Sequence, residues 1–206
     1  MILTKNVLHL FHKHEGWNEP WKVPPLESGI TIGWGYDLGQ CSRDQFSADW
    51  RAEIKPDYHN RLRSVVGFKG AQARGAAHGL RGIIIPRLAG DRVFSRTFDR
   101  YAAMTLKVFP GLEKYDPDAQ GAVVAITYNR GFKFDRDPKT IMGREGMNEI
   151  RDLIARLASC EELGDAVHAM SQNWEGAGAD GLHARYFDTA QLIKASDDPP
   201  ELRGVA

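Results

Sequence analysis

Apolar residues recur at helical spacing along most of this 206-residue chain, and this periodicity predicts a largely helical protein. The first helix is expected over residues 3–14, where apolar residues from Leu3 to Phe11 lie three or four positions apart and Thr4 can cap the start. The end of this helix would deliver Glu15, the first acidic residue of the chain.

The segment that follows changes character. The three prolines between residues 17 and 28 exclude a regular helix, so a loop or an edge strand is expected there. Residues 29–35 then read as a short strand that is interrupted by Gly33 and Gly35, where the backbone can bend or approach another group closely.

Helical patterns return after residue 40. Helices are expected at about 43–54, 57–66, 70–80, 91–108, 116–130, 145–157, 162–171 and 181–195. Ser42 and Gln45 resemble a capping box, Asp91 is expected to cap its helix, and Asp116 precedes a proline that suits a first helical turn. The 116–130 helix is apolar nearly all round, which predicts a central buried position.

The composition is that of an ordinary globular domain, with 42% hydrophobic and 26% charged residues and a formal net charge of zero. The charge is unevenly spread, because residues 51–114 hold 13 Lys and Arg against 5 Asp and Glu. Residues 161–206 hold 3 against 9. The basic middle could attract an anionic polymer, such as bacterial cell wall or nucleic acid, or form a solvated helical surface.

Cysteine and histidine spacing gives no metal or cofactor motif. Cys41 and Cys160 are far apart, so free thiols are expected, although a single disulfide stays open. The Gly-rich segment 67–82 lacks the spacing of a phosphate-binding loop and reads as a flexible basic insertion. No cofactor and no metal are predicted.

The chain also lacks the pattern of a signal peptide at its start and any run long enough for a membrane span. Synthesis in the cytoplasm is therefore expected, and a target outside it would have to be reached by a route that the sequence does not encode. The segment from Ser196 onwards is polar and contains prolines, and a loosely attached tail is expected.

Glu15, Thr31 and Asp37 are the candidate chemical groups. Cleavage of a glycosidic bond uses one carboxyl as a general acid and a second carboxylate, roughly 5–5.5 Å away for retention or 6.5–9.5 Å for inversion. A general acid must stay protonated near neutral pH, a state that apolar surroundings such as Trp17 favour. Taken alone, each residue also has a structural interpretation, since helix-end Glu is usually solvated and Asp is common in turns.

The segments His14–Trp17 (H-E-G-W) and Gly29–Gly39 (G-I-T-I-G-W-G-Y-D-L-G) resemble the active-site region of the phage-type lysozymes, most closely their pesticin-like branch. In that branch the catalytic Asp follows the Thr, as Asp37 follows Thr31 here, and Tyr36 stands where the common pattern has His. The resemblance implies that Glu15 is the general acid, that Asp37 activates water or stabilises the developing cation, and that Thr31 positions the water.

Three further residues are expected to contact substrate, and two more segments support the resemblance. The predicted substrate-contacting residues are Trp34, Tyr36 and Asn129. Asn129 could instead be a helix C-cap, and a tryptophan near a strand could belong to the core. Residues 118–131 resemble the central helix of the family, and 181–192 resemble its closing helix, with Tyr186 in place of an Arg.

The implied fold is α+β and lysozyme-like. A small lobe (1–54) would carry the catalytic region with short strands, a larger helical lobe (55–195) would face it across a cleft, and 196–206 would be the loose tail. The implied activity is hydrolysis of the β-1,4 bond between N-acetylmuramic acid and N-acetylglucosamine in bacterial peptidoglycan, by a monomer that binds no nucleic acid.

Three alternatives remain open from the sequence. A lytic transglycosylase would cleave the same bond with a single Glu, and an inactive peptidoglycan-binding module would cleave nothing. A nucleic-acid binder would use the basic 51–114 region, although no base-reading motif accompanies it. Phage release, a bacteriocin and a secreted effector are equally compatible biological settings.

Overall fold

A computed structural model of the chain describes residues 1–22, 28–132, 134, 144–172 and 180–203. These residues are mostly helical and include a small two-stranded antiparallel sheet, which agrees with the predicted α+β class at the coarse level. The strands are β1 (Thr31–Ile32) and β2 (Tyr36–Asp37). The helices are α1 (Lys5–Glu15), α2 (Arg43–Trp50), α3 (Pro56–Ser64), α4 (Gly70–Ala77), α5 (Arg87–Val108), α6 (Pro117–Arg130), α7 (Arg144–Ala155), α8 (Cys160–Gln172) and α9 (Asp180–Lys194).

The chain divides into two compact units. The helical unit comprises Met1–His14 and Phe98–Ala206, and the hairpin unit comprises Glu15–Thr97. This division differs from the boundary expected at residue 54, because α1 packs with the helical unit and 55–97 belong with the hairpin. A Cβ at Gly121 of α6 would collide with the side chain of Val7, so α1 and α6 are in direct contact.

The core of the helical unit is built around α6. Asp116 accepts a hydrogen bond from the Asp118 N–H at 2.9 Å, and Pro117 occupies the first turn, as expected. Every residue from Ala119 to Thr127 is buried, so the predicted central helix is confirmed. Aliphatic and aromatic side chains from α7, α8 and α9 complete this core, among them Ile150, Leu163, Val167, Tyr186 and Ile193.

The hairpin unit has its own core, beneath the two strands. Its buried side chains include Ile30, Ile32, Leu38, Phe46, Trp50, Leu62, Ile83 and Val93. The Ser42 hydroxyl accepts the Gln45 N–H at 3.0 Å, which confirms the predicted cap of α2. The Gln45 side chain donates to Asp49 at 3.0 Å instead of reaching back to Ser42, so only half of the capping box forms.

Three local expectations were wrong. Residues 29–35 do not form one interrupted strand, because β1 ends at Ile32 and the chain turns at Trp34 and Gly35 into β2. Asp91 lies inside α5, which begins one turn earlier at Arg87. The segment from Ser196 is attached as far as Arg203, because Asp198 accepts the Cys160 N–H at 2.6 Å and so caps α8. Glu201 adds an ion pair to Lys114 at 2.9 Å.

Candidate functional site

The end of α1 is fixed by the residues that follow Glu15. Gly16 adopts φ +61°, a left-handed conformation that ends a helix at little cost for glycine. The Asn18 side-chain amide donates to the carbonyls of Glu15 at 3.0 Å and Gly16 at 3.2 Å. Two carbonyls at the end of the helix therefore find partners within three residues.

Asn18 also joins this helix end to the hairpin. Its backbone pairs with Gly33, with both N–H···O distances at 2.9 Å. Its amide donates to the Gly33 carbonyl as well, at 3.3 Å. Backbone hydrogen bonds therefore hold Asn18 and Gly33 together, one before and one after the proline-containing segment. Glu15 lies three residues before Asn18.

The hairpin register places Thr31 directly opposite Asp37, and Ile32 opposite Tyr36. Leu38 donates to the Ile30 carbonyl at 2.8 Å, so hydrogen-bonded pairs fall on either side of Thr31 and Asp37. These two residues therefore form the close, non-hydrogen-bonded kind of pair, with Cα atoms about 4.5 Å apart and both side chains on one face. Within the part of the chain that the structure describes, the Thr31 hydroxyl has no hydrogen-bond partner.

Glu15 lies against the turn of this hairpin. A Cβ on Gly35 would be 2.5 Å from Glu15 Oε2 and 3.0 Å from its carboxyl carbon, so the carboxyl occupies the space that any other residue at position 35 would fill. Asp37 follows Gly35 by two residues, at most about 7 Å of backbone. The hairpin unit therefore brings Glu15, Thr31 and Asp37 into one neighbourhood.

Asp37 is held by backbone donors. It accepts the Gly39 N–H at 2.7 Å through Oδ1 and the Gly29 N–H at 3.4 Å through Oδ2. A Cβ at Gly29 would collide with Asp37 Oδ1, so this neighbour has to be small. A carboxylate has about four acceptor positions, and two backbone donors orient it while leaving positions for a water or a sugar hydroxyl.

Tyr36 belongs to the opposite face of the hairpin. It is buried, its hydroxyl donates to Asp49 at 2.8 Å, and its ring packs edge-on against Trp50 with 5.6 Å between centroids. Burial is the main cause that raises the pKa of the Tyr36 phenol. This placement gives Tyr36 a structural role in the core and lends no support to the predicted substrate contact.

Trp34 forms the tip of the hairpin and is half-buried. Its indole N–H donates to Asp91 at 2.7 Å, and the Arg87 guanidinium lies 4.9 Å from its ring centroid. Trp17 packs edge-on against it, at 5.1 Å between ring centroids. The tip is thus a fixed aromatic surface, which is compatible with the predicted sugar contact.

Asn129 belongs to the helical unit, in the last turn of α6, and it is exposed. The cap of this helix is Gly131, whose N–H donates to the Thr127 carbonyl at 2.8 Å, so Asn129 is not the C-cap. Its predicted substrate contact stays a prediction.

A polar cluster at the end of α1 was not found from the sequence. His14 Nε2 lies 2.7 Å from Asp188 Oδ2, and Lys13 Nζ lies 2.6 Å from the same oxygen. Arg185 donates to the His14 carbonyl at 2.9 Å. Burial lowers the pKa of His14, against the opposing effect of the Asp188 hydrogen bond. Burial opposes ionisation of Asp188, but the hydrogen bonds from Lys13 and His14 lower the pKa of that carboxyl overall.

Other candidate chemistry is sparse in the described residues. None of them form a group of three or more His, Cys, Asp or Glu side chains able to hold a metal ion. Cys41 is half-buried, Cys160 is buried, and both are free thiols. Burial raises the pKa of Cys160 to about 12, so this thiol is not a ready nucleophile.

No protein-family model and no curated protein matches this chain. The geometry of Glu15, Thr31 and Asp37 and the motif resemblance are therefore the features that bear on function.

Proposed function

We propose that this protein is a muramidase with a lysozyme-like fold, which hydrolyses the β-1,4 bond between N-acetylmuramic acid and N-acetylglucosamine in bacterial peptidoglycan. The observation that carries the proposal is the approach of the Glu15 carboxyl to Gly35, beside the cross-strand pair Thr31 and Asp37. One acid, one carboxylate and one hydroxyl are what this hydrolysis requires.

In the proposed mechanism Glu15 gives its proton to the glycosidic oxygen as the bond breaks. Asp37 accepts a proton from the attacking water, or stabilises the positive charge that develops on the sugar. Thr31 holds that water, because its hydroxyl lies on the same face as Asp37 and has no partner in the described part of the structure. Trp34 is proposed to stack on a neighbouring sugar.

The cross-strand pair also favours hydrolysis over the lytic transglycosylase reaction. A transglycosylase uses the hydroxyl of the sugar itself as nucleophile, so it needs no device for holding water. Thr31 and Asp37 together form such a device, and no feature of the described residues calls for the rival reaction.

Digestion of purified peptidoglycan followed by mass spectrometry of the products tests the proposal. Muropeptides with reducing N-acetylmuramic acid ends are expected. Anhydro-muramic ends would establish the transglycosylase instead. Binding to the wall material without release of any fragment would identify a glycan-binding module. The site of action is proposed to be the cell wall, reached by a route that the chain does not reveal.

A further inference from the structure

Two aliphatic side chains protrude from the segment between Leu80 and the first turn of α5. Ile84 is 67% exposed and Leu88 is 71% exposed, more than any other large hydrophobic residue described. Their neighbours Ile83, Ile85 and Ala89 are 1–2% exposed. Because these buried neighbours anchor the segment, the outward position of Ile84 and Leu88 is set by the fold.

The segment that carries this pair is itself basic. Arg74, Arg81 and Arg87 are exposed and have no carboxylate within 4.0 Å in the described part of the chain, and Arg87 stacks on the rings of Trp17 and Trp34. Arg61 of α3 also lies next to this segment, because it donates to the carbonyls of Gly79 at 2.7 Å and Arg81 at 3.3 Å, and Asp57 lies 3.7 Å from its guanidinium. An anionic partner complements such a surface.

Because Ile84 and Leu88 protrude from a basic segment, we propose that Arg74–Leu88 is a docking surface for an anionic lipid bilayer. Single exposed aliphatic residues are common in soluble proteins. Two of them within five residues, among arginines that form no ion pair, combine the two terms that hold a protein on a membrane, which are apolar insertion and attraction to acidic headgroups. A nucleic acid or an anionic wall polymer would use the cations and leave both aliphatic side chains in water.

This mode of binding requires no membrane-spanning segment. In fact, no helix in the described residues is long and apolar enough to cross a bilayer. The proposal does not depend on the muramidase activity, because none of Glu15, Thr31 and Asp37 takes part in it.

Co-sedimentation with vesicles tests the docking surface. The full chain is expected to bind vesicles of three parts phosphatidylcholine to one part phosphatidylglycerol at least tenfold more tightly than pure phosphatidylcholine vesicles, and added salt should weaken the binding. The double variant I84S/L88S is expected to bind the anionic vesicles at least tenfold more weakly. The matched control is Ile2→Ser, since Ile2 is 66% exposed but lies outside this surface, and it should bind like the parent.

A second pair of variants separates charge from insertion. R74Q/R81Q should weaken binding to anionic vesicles about fivefold or more, whereas Glu15→Gln should leave it unchanged even if it abolishes hydrolysis. All variants are checked by thermal unfolding, which should be unaltered in I84S/L88S because both side chains are exposed. Parent-like vesicle binding by a folded I84S/L88S variant would overturn the proposal. So would tight binding to heparin or DNA together with no binding to anionic vesicles, which would assign the surface to a soluble polyanion.

Discussion

One face of the short hairpin carries Thr31 and Asp37, whereas the opposite face carries Ile32 and Tyr36. Exposure alone does not separate the two faces, because Thr31 and Tyr36 are both buried, at 7% and 8% exposure. Hydrogen bonding does separate them. The Tyr36 hydroxyl is satisfied by Asp49, while the Thr31 hydroxyl has no partner among the described residues. The Thr31 hydroxyl, which makes no hydrogen bond within the described structure, is therefore the better candidate for contact with a reactant than the Tyr36 hydroxyl.

The strongest test of the proposed mechanism is Glu15, whose carboxyl lies against Gly35 of the same hairpin. Glu15→Gln keeps the shape of the side chain but removes the proton donor, so peptidoglycan hydrolysis should fall by about 10²- to 10⁴-fold. Release of reducing ends measures it. Glu19→Gln is the matched control, because Glu19 accepts the Trp17 indole N–H at 3.0 Å and has no proposed part in catalysis. Full activity in the Glu15→Gln variant would contradict the proposed mechanism.

Within the hairpin, Asp37→Asn should lower kcat by about a hundredfold, because an amide cannot take a proton from water. An Asn oxygen can still accept the Gly39 N–H, so stability should change less than activity.

Thr31→Ala should lower kcat by roughly tenfold, which is about the contribution of one hydrogen bond, and Thr31→Ser should restore most of it. Equal rates for Ala and Ser at position 31 would contradict the water-holding role.

Gly35→Ala tests whether the contact with Glu15 matters. Position 35 has φ +77°, and an alanine Cβ there would also displace the Glu15 carboxyl. Gly67→Ala is the comparison, because Gly67 has φ +89° but nothing within 4 Å of its Cβ position. Both variants should lose about 1–2 kcal/mol of unfolding free energy through backbone strain. Only Gly35→Ala should also lose more than about tenfold in kcat measured on folded protein, because the displaced acid can no longer reach the glycosidic oxygen; a tenfold loss corresponds to about 1.4 kcal/mol of transition-state stabilisation.

The opposite face should respond in stability alone. Tyr36→Phe leaves Asp49, which is 3% exposed, without one of its donors, and it should cost about 1–3 kcal/mol of unfolding free energy in urea. Its KM and kcat should stay at the parent values. Tyr115→Phe provides the comparison in the helical unit, where the hydroxyl donates to the Ala158 carbonyl at 2.8 Å. A raised KM with unchanged stability would return Tyr36 to the substrate-binding residues.

The smallest effect is expected from pH at the end of α1. The pKa of His14 is lowered below 6.5 by burial, so the unfolded chain takes up a proton at a higher pH than the folded chain does. The free energy of unfolding should therefore fall as pH drops through and below 6.5, and His14→Gln should reduce this fall. Urea titrations between about pH 7.5 and 5.5 measure the difference, since the Asp188 contribution is lost only at lower pH.

Helical periodicity and capping residues predicted most of the helices, because both signals are local in the chain. The start of α5 was missed for a reason that is not local. Gly90 disfavours helix in the sequence, but the Trp17 ring lies where a Cβ at position 90 would be, 2.6 Å away. Packing in the hairpin unit thus demands a glycine inside a helix, which single-chain periodicity cannot reveal.

The candidate site was predictable in part. The motif indicated Glu15, Thr31 and Asp37, and the structure brings them into one neighbourhood. The two-residue period of a strand already implied that Tyr36 and Asp37 point to opposite faces, so the buried position of Tyr36 could have been foreseen. The pairing of His14 with Asp188 could not, because 174 positions separate them.

The pairing of Asn18 with Gly33 has a practical consequence for protein engineering. Backbone hydrogen bonds at 2.9 Å hold together the two ends of the stretch between them. Lengthening a loop whose ends are held costs only about 0.6 kcal/mol for each doubling of its length. Foreign peptides, affinity handles or a randomised library inserted between Glu19 and Ser28 should therefore leave the Glu15 carboxyl in place against Gly35.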